Sequence, residues 1–116
     1  MENKVYKAVS NYMESTGFKV IEKKCEFDMV TIDETTGELL LLEVNWAMGE
    51  LPDENLTREK MRDFEARAIR YLSRARMDDA PVFFGIISAA LLDGENAVMI
   101  RCHKGITPIE IEARAL

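Results

Sequence analysis

The sequence predicts a single α/β domain in which a small mixed β-sheet carries a helix on each side. Three observations predict it. Residues 39–46 form a near-continuous apolar run of strand length, the pattern of a strand covered on both faces. Two segments with helical apolar spacing, 3–16 and one opening at Thr57, lie before and after that run. The other apolar segments are short, alternating or β-branched, and are bounded by turn residues.

Each element follows in order. Val5, Ala8, Val9, Tyr12 and Met13 recur at helical spacing, and Gly17 supplies a left-handed position that ends a helix, so 3–16 reads as an amphipathic helix. Residues 18–24 alternate apolar and polar, and 27–33 are rich in β-branched side chains, so both read as strands. Residues 34–38 are the turn into the central run at 39–46. After a polar loop with Gly49 and Pro52, Thr57 caps a helix whose stripe is Met61, Phe64, Ala68, Tyr71, Leu72 and Ala75. Asp78, Asp79 and Pro81 stop it. Residues 82–88 and 97–103 are further strands, separated by an Asp93-Gly94 turn. The expected order is α-β-β-β-α-β-β. The tail, 108–116, reads equally as a short edge strand and as a frayed helix.

The chain has 116 residues, 47% of them hydrophobic and 31% charged, and at this size one core buries about two-thirds of the unfolded chain's surface. The expectation is one domain over 1–116, with the core at 3–103 and a tail at 104–116. The longest nearly apolar stretch, 81–92, falls short of the roughly 18 residues that span a bilayer. The start of the chain lacks the basic and apolar run of a signal peptide, so the expected compartment is the cytoplasm and the expected state of Cys25 and Cys102 is reduced. Two cysteines without CxxC spacing and one histidine, His103, do not make a four-ligand zinc site.

A net charge of −6 argues against phosphate partners when the chain is taken whole. The charge is uneven. Residues 58–76 carry seven basic side chains and three acidic ones, a net +4 that leaves −10 elsewhere. Within that segment Lys60, Arg67 and Arg74 recur every seven residues and line one edge of the apolar stripe. They form either a solvated face with intrahelical ion pairs or a face for phosphates.

The central run also holds a carboxylate. Leu39, Leu41, Glu43 and Asn45 share one face, and Leu40, Leu42, Val44 and Trp46 the other. A hairpin register with Ile32 opposite Leu39 and Val30 opposite Leu41 brings Asp28 opposite Glu43. Opposed carboxylates repel unless a cation or proton lies between them, and Mg²⁺ or Mn²⁺ is the natural occupant of an all-oxygen site. A register shifted by one instead sets Met29 opposite Glu43 and leaves two ordinary strand-end charges. Trp46, on the opposite face, reads as packing, and His103, at a strand end, as structural or exposed.

These segments resemble a known family. A helix ending in Gly17-Phe18, then Phe27-Asp28-Met29-Val30-Thr31-Ile32, then Leu41-Leu42-Glu43-Val44, then Leu56-Thr57-Arg58-Glu59-Lys60 leading to Ala68-Ile69-Arg70-Tyr71-Leu72, is similar to the YraN-like proteins. These are bacterial relatives of restriction endonucleases and archaeal Holliday-junction resolvases. The resemblance covers residues 5–103. It implies the restriction-endonuclease-like fold, with Asp28, Glu43 and the backbone carbonyl of Val44 as ligands of Mg²⁺ or Mn²⁺ and Lys60 matching a helix lysine often present. The family's lysine two residues after the glutamate is here Asn45, its Gly-Glu before the aspartate strand is Glu26-Phe27, and its first-helix glutamate aligns with Tyr6. Asn45 donates a hydrogen bond but carries no charge and is neither general acid nor base. Lys24 and Lys60 are the lysines that can replace it.

Three functions compete at this point. One is a metal-dependent phosphodiesterase on branched or single-stranded DNA, with Asp28 and Glu43 as ligands, Asn45 and Lys60 completing the site, and Lys60, Arg67 and Arg74 steering the backbone. Another is a nuclease-fold module that binds nucleic acid or protein without turnover. The third shares the fold alone, with residues 51–56 as an interdomain or homodimer contact.

Overall fold

The computed structural model describes residues 2–54, 56–77, 79–92 and 97–106. The expected Asp93-Gly94 turn, the stop at Asp78 and the tail at 108–116 lie outside these. The elements run α1 (Glu2–Ser15), β1 (Lys19–Lys23), β2 (Met29–Asp33), β3 (Glu38–Met48), α2 (Arg58–Ala75), β4 (Val82–Leu91) and β5 (Val98–Ile106). The strands form one five-stranded mixed sheet in the order β1-β2-β3-β4-β5, with β3 and β4 parallel and the other neighbours antiparallel.

Helix α1 ends as its glycine requires. Gly17 takes φ +97°, its N–H donates to the Glu14 carbonyl at 3.2 Å, and the Phe18 N–H donates to the Met13 carbonyl at 3.0 Å. This pairing satisfies carbonyls that the last turn leaves without helical partners. In α2 the Thr57 hydroxyl accepts the Lys60 N–H at 3.1 Å, and Arg76 closes the helix in the left-handed region at φ 57°.

The alternation along β3 sorts the core into two layers. Val5, Val9 and Met13 of α1 pack on Met29, Leu40, Leu42, Val44, Ile87 and Ala89, with Trp46 at the margin. On the other face, Met61, Phe64, Ala68 and Tyr71 of α2 pack on Val30, Leu39, Leu41, Phe84 and Ile86. Phe64 stacks on Phe84 with centroids 5.2 Å apart, and Phe27 closes the trio.

Element ends depart from the sequence pattern where pairing outweighs propensity. Phe27 and Asp28 belong to the β1–β2 turn rather than to β2, because Lys24 at φ 53° reverses the chain and its N–H donates to the Asp28 carbonyl at 3.0 Å. Strand β4 runs past Ser88 through Ala89 and Ala90, poor strand formers held in register between Trp46 and Ala47 on one side and Ile100 and Met99 on the other.

Gly85 sits where neighbouring groups of β3 and β5 approach β4 closely. A Cβ there would meet Leu42 Cδ2 at 2.8 Å, the His103 carbonyl at 3.2 Å and Leu40 Cδ1 at 3.3 Å. Gly85→Ala is therefore expected to lower unfolding free energy by about 1–3 kcal/mol through overpacking. Urea denaturation checks it, and an unchanged midpoint would mean that Leu42 moves aside freely.

Candidate functional site

Strand register sets Asp28 at the entry to β2 and Glu43 on the neighbouring β3, each held by its own partners. Ile32 pairs with Leu39, Val30 with Leu41 and Met29 with Leu42, so Met29 is not opposite Glu43. Asp28 immediately precedes the ladder, and its Oδ2 accepts the Val44 N–H at 2.7 Å. A side chain thus takes the place of the next backbone carbonyl and satisfies a strand donor left by the end of β2.

Glu43 projects toward α2, from the same face as Leu39 and Leu41. Its Oε2 accepts from Lys60 Nζ at 2.9 Å and from Asn45 Nδ2 at 3.1 Å, while Oε1 lies 3.8 Å from Arg67 Nη2. The carboxylate is only 17% exposed and Lys60 22%, so this pair is screened less than a surface ion pair. Lys60 reaches it from the first turn of α2, where the Thr57 cap fixes the helix start. Of the two lysines considered as replacements for the charge absent at Asn45, Lys60 contacts Glu43. Lys24 lies 5.7 Å over the ring of Tyr6, a residue on the α1 side.

The other two members of the basic row also face carboxylates. Arg67 Nη2 is 2.8 Å from Asp63, its Nη1 donates to the Glu26 carbonyl at 3.3 Å, and the guanidinium stacks over Phe27 and Phe64 at 4.8 and 5.0 Å. Arg74 binds both oxygens of Glu26 at 2.8 to 3.2 Å and Glu22 at 2.7 Å. The row spaced by seven residues therefore follows an acidic line on β1, the β1–β2 turn and β3. The net +4 of the helix segment against −10 elsewhere is the sequence signal of that match.

The Arg74 guanidinium beside Glu26 holds its carboxyl down to about 2, against the opposing effect of burial. A lowered carboxylate pKa stabilises the fold above the unfolded value, and that stabilisation is lost as pH falls from about 4.5 toward 2. Glu26→Gln should flatten this part of the acid-unfolding curve, and an unchanged curve would contradict the pairing. Glu22, Cys25 and Glu26 also offer ligand atoms within 4.8 Å of one another. Arg74 bridges both of these carboxylates with its single positive charge.

On the same face at β5, His103 Nδ1 lies 3.0 Å from Glu54 Oε2, and Arg101 Nη2 donates to the Pro52 carbonyl at 2.9 Å. Sequence reasoning passed over this group, because its members are separated by 49 residues and share no periodic pattern. Cys25 and Cys102 are both free thiols, and burial pushes the Cys102 thiol up. Among the described residues no helix is long and apolar enough to cross a membrane.

No protein-family model matches the chain, and no curated protein matches it significantly.

Proposed function

We propose that this chain is a nuclease-type domain of the YraN-like kind, directed at nucleic-acid phosphodiesters through a variant site in which Lys60 supplies the charge that Asn45 lacks. The observation that carries this reading is the convergence of Lys60 and Asn45 on one oxygen of Glu43, at 2.9 and 3.1 Å, next to a strand whose Val44 N–H is held by Asp28. Both carboxylates and the Val44 carbonyl are oxygen donors of the type that Mg²⁺ or Mn²⁺ takes, so the donor set fits such an ion. When bound, the ion supplies a polarised phosphoryl oxygen and an acidified water.

The chain's own residues do the rest. Asp28 spends Oδ2 on the Val44 N–H, leaving Oδ1 for a cation. Glu43 would hold the ion in place of the Lys60 ammonium, and Lys60, from the first turn of α2, would offer its charge to a phosphate oxygen, where negative charge develops in the transition state. Asn45 keeps the Glu43 carboxylate oriented. Arg67 and Arg74, already aligned along α2, hold flanking phosphates in exchange for their present acidic partners.

A second reading is favoured by the same ion pair. Because Lys60 already neutralises Glu43, the site is stable without a cation, as a binding module would be. The test is cleavage of linear, single-stranded and branched DNA in Mg²⁺ and then Mn²⁺ by the wild type and Asn45→Lys. Wild-type turnover supports the enzyme. Turnover in Asn45→Lys alone supports a module that keeps the metal site, and none in either overturns the enzyme reading and leaves the binding module.

A further inference from the structure

Beyond the carboxylate site, we propose that Arg101 and His103 form an anion subsite for a second phosphate of the substrate backbone, and that Glu54 fills it in cis. The inference rests on the nucleic-acid reading above. Arg101 and His103 are two apart on β5, so they share a face, and it is the face of Glu43 and Asn45. Pairing across β4 makes two rows: Glu43, Ile86 and His103 in one, and Asn45, Ser88 and Arg101 in the next. Two strand spacings set His103 about 10 Å from Glu43. One strand of nucleic acid can reach both positions, whereas one phosphate cannot.

The occupant of the subsite is a carboxylate from the loop joining β3 to α2. Glu54 Oε2 is 3.0 Å from His103 Nδ1 and its Oε1 is 3.5 Å from Arg101 Nε, so the carboxylate spans the two side chains as two oxygens of a phosphate would. The Glu54 side chain is 14% exposed, while Arg101 keeps 46% of its surface in solvent, where a polyanion can first engage it. Between Asn45 and Arg101 in the second row, Ser88 is fully buried and its hydroxyl has no partner. Arg101 also grips the backbone of the same loop at Pro52.

His103 is the single histidine, so its imidazole gives one set of NMR signals. Wild type, Glu54→Gln and Glu54→Gln/Arg101→Ala are titrated with pyrophosphate and with a single-stranded oligodeoxynucleotide. Removing the competing charge is expected to tighten the pyrophosphate response of His103 by about tenfold or more in Glu54→Gln. The added Arg101→Ala is expected to abolish it. If Glu54→Gln does not fold, Glu54→Asp, which withdraws the carboxylate by one methylene, should tighten binding to a smaller extent.

A His103 response to pyrophosphate with no oligonucleotide binding would uphold the anion subsite and overturn the nucleic-acid reading beneath it. Oligonucleotide binding that leaves His103 unmoved in every variant would overturn the subsite and leave that reading intact. No pyrophosphate response in the folded Glu54 variants would also overturn it.

Discussion

Replacing Lys60 by methionine is expected to lower metal-dependent cleavage by about 10²- to 10³-fold, the usual cost of removing one group aimed at developing negative charge. The same substitution is expected to tighten divalent-cation binding. Lys60 and the ion compete for Glu43 Oε2, and without the ammonium the carboxylate keeps only the Asn45 amide at 3.1 Å and Arg67 at 3.8 Å. Methionine keeps an unbranched stem of similar length without the charge, so the two opposite changes report the charge rather than the fold. Initial rates give one and a Mn²⁺ titration the other. A variant that cleaves like the wild type would remove Lys60 from the chemistry.

Asp28→Ala is expected to cost about 1.5–3 kcal/mol of stability, because it deletes a charge-assisted hydrogen bond and leaves the N–H of the buried Val44 without its 2.7 Å acceptor. Asp28→Asn retains an oxygen for that N–H and should recover most of this loss. Both variants lack the anionic ligand and should fail equally in cation binding and cleavage. Denaturant melts beside the cleavage assay separate the strand-completing role of Asp28 from its ligand role. If Asp28→Asn were as unstable as Asp28→Ala, the Val44 hydrogen bond would not be what Asp28 contributes to the fold.

The two core layers were legible because the strand pattern is dense. The even and odd residues of 39–44 are apolar except Glu43, and only one pairing with 29–33 buries Leu40 and Leu42 beside Met29 while Val30 sits beside Leu41. The stripe on α2 was legible for the same reason. The full lengths of β3 and β4 were not, since Ala89 and Ala90 are strand only through their neighbours. At the candidate site, the shared face of Glu43 and Asn45 followed from a period of two. The partners of Arg67 and Arg74 did not, because a charge on a turn carries no period that points to a distant helix. Glu54 and His103 are the extreme case, two polar residues joined only by the path of the loop over β5.

The most direct test of the carboxylate site is calorimetric titration of the chain with Mn²⁺, comparing wild type with Asp28→Asn. Saturable binding by the wild type is expected, displaced by Mg²⁺ and lost in Asp28→Asn while the melting curve stays near wild type. Absence of saturable binding in the wild type, or equal binding by Asp28→Asn, would contradict a divalent-cation site at Asp28 and Glu43.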